Sequence, residues 1–157
     1  KKLKDILSSI RPKLLLVPLA TIIGTLSFSA LISLALTKWS VFDCLAVGSG
    51  FAYYSLSSIL ITELKEPTPG AQLAAELGTI ALIANIIREI FALLGAPLFV
   101  RYFGRLSPIC AGGATTMDTT LPIITRYCGK DLVFVSIFHG ILVDFTVPFF
   151  VSFFCSM

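Results

Sequence analysis

The stretch GTIALIANIIREIFALLGAPLF, Gly78 to Phe99, is apolar over a length that can cross a bilayer, yet it carries Asn85, Arg88 and Glu89. About 20 apolar residues suffice to span the hydrocarbon core. An ionised side chain near its centre costs about 2.5–3.5 kcal/mol on insertion scales, so such residues usually face a cavity or a pathway. Asn85 and Glu89 are four apart and Asn85 and Arg88 three apart, so Asn85 shares a helical stripe with each. Arg88 and Glu89 are adjacent and splay by roughly 100°, which disfavours an ion pair between them. The spacing therefore predicts that Arg88 meets an acid from another segment, Asp118 or Asp144, while Asn85 orients Glu89. Burial raises a carboxyl pKa and a nearby cation lowers it. A proton and a substrate cation would thus compete for Glu89, which is the minimal chemistry of antiport. The alternative is a buried ion pair that only fixes helix register.

Working outward, the whole chain is 56% hydrophobic and 13% charged, with a mean hydropathy of +0.93, against about 25% charged residues in soluble domains. The expected class is an all-α integral membrane protein, because its apolar runs exceed the ~10-residue strands of membrane barrels. The formal charge of +3 is too small for nucleic acid, and the basic residues cluster at segment ends instead of forming an aromatic-interleaved patch. Cys44, Cys110, Cys128 and Cys155 show no CxxC or His-paired spacing, so they read as reduced, small hydrophobes with neither metal nor disulfide. No cofactor is expected. No GxSxG, HExxH or P-loop is present, which argues against an enzyme and leaves only a membrane hydrolase built from Ser55 or Ser57 with His139 as a remote alternative.

About five membrane segments are expected, near 13–36, 41–62, 71–99, 109–126 and 132–155, after a cytoplasmic juxtamembrane stretch over 1–12. That opening, KKLKDILSSIRPK, lacks a signal-peptide pattern and reads as a loop with further sequence before it. Its basic residues place that end in the cytoplasm by the positive-inside rule. The second segment, about Val41 to Thr62, holds VGSGFAYYSLSSILIT and is rich in Gly and Ser. That suits close packing or an unwound stretch lining a cavity, and Tyr53 and Tyr54 lie too deep in it for an interfacial belt. Glu63 to Gln72 is the clearest interhelical loop, and the third segment is expected to end near Pro97. Ser107 to Gly129 holds the small, hydroxylic run Ala111 to Thr120 around Asp118. It reads as a re-entrant or discontinuous helix, with free amides for an anion and loose carbonyls for a cation. In the last segment His139 and Asp144 are five apart and fall on different faces; a lone buried His is more often a packing residue than a relay.

The motifs GSGFAYYSLSSILITE, ANIIREI, AGGATTMDTTLP and SIFHG, in this order and spacing, resemble the C-terminal half of the LysO family of bacterial lysine exporters over nearly the whole chain. The resemblance implies an inner-membrane, multi-pass exporter of L-lysine or basic analogues, linked to the proton-motive force. It places the family's essential intramembrane acid on Glu89, with Asn85 and Arg88 in the same motif, and matches Gly48 to Ser58, Gly112 to Asp118 and His139. It assigns nothing to Asp144. Family members pair this half with an N-terminal half that supplies a second acid, so a partner chain or homo-oligomer is expected, each chain being one half of an inverted-repeat transporter-like fold.

The expected site is then Glu89, Asn85, Arg88, Asp118, Tyr54, Ser55, Ser57, Ser58, Thr115, Thr116 and His139. Its ligands are L-lysine or a related cationic amino acid and protons, in a setting of membrane lipid. Glu89 or Asp118 would hold the cationic side chain, and Arg88 or broken-helix amides the α-carboxylate. Hydroxyls and carbonyls near Ser55 to Ser58 and Thr115 to Thr116 would hold the α-ammonium. The reading from another class is a non-transporting membrane subunit whose buried charges lock helix register.

Overall fold

In lipid every backbone polar group must be satisfied internally, so a chain this apolar is driven to helices. The computed structural model describes residues 12–68 and 70–157, and among them there is no strand. The juxtamembrane stretch expected over 1–12 lies, apart from its last residue, outside the described residues, as does Pro69 in the interhelical loop. The elements in order are α1 (Pro12–Ser33), α2 (Val41–Gly48), α3 (Tyr54–Lys65), α4 (Ala71–Phe103), α5 (Ser107–Gly112), a 3-10 turn (Gly113–Met117), α6 (Leu121–Cys128), a second 3-10 turn (Lys130–Leu132) and α7 (Val133–Ser156).

Among the described residues three helices are long and apolar enough to cross a membrane: Leu14–Ser33, Ala71–Phe103 and Lys130–Ser156. They correspond to α1, α4 and the last 3-10 turn joined to α7. At 1.5 Å per residue, the 33 residues of α4 extend about 50 Å, well beyond a ~30 Å hydrocarbon core. The helix does not stop at the expected end near Pro97 but runs through that proline to Phe103. A proline removes one internal hydrogen bond, a defect that packed membrane helices tolerate. Elsewhere the exterior is apolar. Phe91, Leu94, Phe145 and Phe149 are each more than 60% exposed, on a scale that soluble monomers avoid. The protein is a membrane protein.

The other two expected segments are broken. α2 and α3, of 8 and 12 residues, cover only about 12 and 18 Å, and residues 49–53 between them are non-helical. α2 starts on a capping box: Asp43 N donates to Ser40 Oγ at 3.1 Å, and Ser40 N donates back to Asp43 Oδ2 at 3.2 Å. α3 continues three residues past the expected end and lies along α4. α5 and α6 are separated by the 3-10 turn that holds Thr115 and Thr116.

The core joins these pieces. Val143, Val147 and Val151 of α7 pack with Phe51, Ile61, Leu77, Ala81 and Ala46. The buried face of α4 is small-sided, Ala74, Leu77, Gly78, Ala81, Asn85, Glu89, Ala92 and Ala96, as close helix packing in lipid requires.

Candidate functional site

The two interruptions meet. Phe51 and Ala52 take left-handed φ values of 46° and 71°, which non-glycine residues adopt only when their surroundings hold them there. The turn exposes the Phe51 carbonyl, which accepts a bond from Ala114 N at 2.8 Å. On the other side Gly113 has φ 60°, and a Cβ there would lie 2.3 Å from the Phe51 oxygen. Only glycine fits, and the AGGATT motif owes its second glycine to this approach. Gly140 of α7 closes the arrangement from behind, since a Cβ on it would lie 2.6 Å from Met117 N.

The polar stripe of α4 serves the two interruptions one by one. Asn85 Oδ1 accepts from Ala52 N at 2.9 Å. Its Nδ2 lies 2.8 Å from Ala81 O, 3.3 Å from Val47 O and 3.4 Å from Ser57 Oγ. Asn85 thus staples the first break and makes no hydrogen bond to Glu89, contrary to expectation. Arg88 Nε and Nη2 donate to the carbonyls of Ala111 and Cys110 at 3.0 and 3.1 Å, and Nη1 donates to Thr25 Oγ1 at 3.1 Å. No acid meets it among the described residues. The physical reason is that α5 ends at Gly112, leaving its last carbonyls without helical partners and with the negative end of the helix dipole. A guanidinium forks across two such carbonyls. The carbonyls read from sequence as loose acceptors for a cation are thus occupied by Arg88.

His139 is fully buried, with Nε2 2.8 Å from Thr21 Oγ1 and Nδ1 2.9 Å from Thr116 Oγ1. Ser136 Oγ donates to Thr116 O at 2.6 Å. Histidine here ties α1 and α7 to the 3-10 turn, and both ring nitrogens have hydroxyl partners. Glu89 is 9% exposed and has neither hydrogen bond nor ion pair among the described residues.

Four of the remaining candidates line a cleft of about 200 Å³ where the two breaks cross. Tyr53, Tyr54 and Ser55 come from one break, Thr115, Asp118 and Thr119 from the other, and Asp144 from α7. Asp118 Oδ1 accepts from Thr119 N and, at 3.2 Å, from Thr119 Oγ1, leaving Oδ2 free. The structure therefore brings Tyr54, Ser55, Thr115 and Asp118 together and leaves Glu89, Ser57, Ser58, Thr116 and His139 outside that lining. Asn85 and Arg88 face a different groove, of about 370 Å³, with Thr25, Ser29, Trp39 and Val47.

A family model described as Lysine exporter LysO matches residues 1–155. The chain belongs to the LysO family. It is 37% identical over 110 residues to the Lysine exporter LysO of Escherichia coli (strain K12), covering 70% of this chain and 34% of that protein. It is 33% identical over 138 residues to a Haemophilus influenzae protein named "Putative lysine exporter", covering 88% of this chain and 64% of that one. The chain thus spans about a third and just under two thirds of these LysO relatives. No solved structure matches. The relatives are named as transporters, not enzymes. Within this LysO chain, sequence reasoning missed two things: Asp144 faces the same cleft as Asp118, and Tyr53 lines it beside Tyr54. The spacing of Asp144 from Gly140, one helical turn beyond the α7 contact with Met117, is the only sequence signal for the first.

Proposed function

We propose that this chain is one half of an exporter of L-lysine and related cationic amino acids, exchanging them for protons across the bacterial inner membrane. The observation that carries the reading is the crossing of two interrupted helices in a member of this family, with a carboxylate-bearing cleft at the crossing. Interrupted helices let main chain and short side chains line a cavity at membrane depth, which is how many secondary transporters build their sites.

In this reading Asp118 holds a substrate ammonium group, with Ser55, Thr115 and the Tyr54 ring around it; a ring face attracts a cation. Glu89 carries the proton. It is nine-tenths buried and no fixed cation among the described residues neutralises it, so a proton or a passing ammonium group can take that place. Arg88 and Asn85 hold the crossing together, and two of the five guanidinium N–H groups remain for a substrate carboxylate. His139, Thr116 and Ser57 lie outside the cleft and brace the elements around it through their hydrogen bonds. The additional length of the relatives is read as a second half that completes an inverted-repeat transporter, supplied by a partner chain or by another copy of this one.

The test is efflux from cells or vesicles containing the intact exporter, with the pH gradient set by the buffers. Lysine efflux should follow the gradient in the unaltered protein and fall at least tenfold in Glu89→Gln, with the variant still inserted. Undiminished proton-dependent efflux from that variant would refute the role of Glu89. A second reading, a non-transporting subunit, draws on the fact that Asn85 and Arg88 bond chiefly to main-chain groups of the fold itself. It predicts that activity and assembly are lost together in every variant of α4.

A further inference from the structure

Asp144 has no partner among the described residues. It is partly exposed and makes no hydrogen bond or ion pair among the described residues. Its position follows from a close contact one turn earlier. Gly140 lets α7 approach Met117 so tightly that a Cβ would sit 2.7 Å from Met117 Cβ. Asp144 is four residues beyond Gly140 and Asp118 is the residue after Met117, so the same contact that seats α7 on the 3-10 turn sends both carboxylates into one cleft. Among the described residues no Lys, Arg or His lines that cleft. Two carboxylates facing a small space with no fixed cation repel each other, and a mobile cation between them relieves the repulsion. The volume, about 200 Å³, is below the ~300–1,000 Å³ of drug-sized pockets and suits a ligand of amino-acid size.

We propose that Asp144 is a specificity-determining residue: it takes one ammonium group of a dibasic amino acid while Asp118 takes the other, with Tyr53 and Tyr54 walling the aliphatic chain between them. The inference rests on the export reading above for the class of substrate and adds to it the residue that distinguishes two positive charges from one. A neutral analogue of equal length leaves one carboxylate facing the cleft unpaired, and a site built to bond a polar group rejects ligands lacking it more strongly than a merely apolar pocket does. Tyr53 and Tyr54 are each about 38% and 37% exposed, so their rings are available to a ligand.

The experiment measures KM and maximal rate for L-lysine, and competition by L-norleucine, which lacks the side-chain ammonium, in vesicles containing the intact exporter. Asp144→Asn should raise KM for lysine about tenfold or more, the loss of one charge-assisted bond. The maximal rate should stay within about twofold, and discrimination against norleucine should narrow by a similar factor. Asp144→Glu should recover most of both. Wild-type KM and discrimination in an inserted Asp144→Asn protein would overturn the proposal while leaving lysine export intact. Failure of Asp144→Asn to accumulate would also overturn it, since a residue without an internal partner is not needed for folding. If the unaltered exporter carries no lysine, the export reading falls first and this one with it.

Discussion

Arg88 and Asp118 sit on either side of the same crossing and are used in opposite ways. Arg88 on α4 gives three of its N–H groups to two carbonyls and a hydroxyl of the chain itself. Asp118, at the end of the 3-10 turn, bonds only its immediate neighbour and keeps one carboxylate oxygen open to the cleft. A buried charge is thus no evidence of a ligand until its partners are counted. The cation answers unsatisfied main chain, and the anion answers nothing in the described fold.

If that contrast is correct, Arg88→Ala carries the largest structural effect. It strands the carbonyls of Cys110 and Ala111 and the Thr25 hydroxyl, at about 1–3 kcal/mol for each unsatisfied group. A loss of roughly 3–5 kcal/mol should appear as a lower unfolding temperature of the detergent-extracted protein. Arg88→Lys should restore only part, because a point charge cannot fork across two carbonyls. A stable Arg88→Ala protein would break the comparison.

Next in size is Gly113→Ala, where a methyl group meets the Phe51 carbonyl in a left-handed backbone conformation. About 2–4 kcal/mol of destabilisation is expected from strain and displacement, read by the same unfolding assay. His139→Leu should follow at about 1–3 kcal/mol, since Thr21 and Thr116 lose their shared partner.

The carboxylates should behave the other way. Asp118→Asn is expected to change stability by less than about 0.5 kcal/mol, as for an exposed site, while lysine efflux falls at least tenfold. Equal losses of stability and efflux would erase the distinction between the two sides of the crossing. Smallest of all, Glu76→Ala removes an exposed pair with Lys38 and should cost at most about 0.5 kcal/mol, vanishing in high salt.

Apolar length alone marks α1, α4 and α7, because a helix in lipid is specified by hydrophobic extent more than by its neighbours. The Gly and Ser clusters at 48–58 and 111–120 mark both interruptions for a related reason: small and hydroxylic residues neither fill lipid nor favour unbroken helix. Pro97 misled as a helix end because a proline's missing bond is cheap inside a packed membrane helix. The partner of Arg88 was not legible at all, since the carbonyls of Cys110 and Ala111 look like any others along the chain and become acceptors only where α5 stops. Asn85 was misassigned to Glu89 for a similar reason. Sharing a stripe permits contact, but the left-handed turn at Ala52 offers the better donor.

Residue types and their order therefore determined that this chain is a helical membrane protein, where its helices break, and to which family it belongs. Which polar side chains close the fold and which face a cleft was decided only by tertiary structure. The cause is the crossing of the two breaks: hydrogen-bond partners there are main-chain groups whose availability depends on where each helix ends and what approaches it. The close seating of α7 on Met117, allowed by Gly140, is likewise what sets Asp144 beside Asp118 at a separation of 26 residues in the chain.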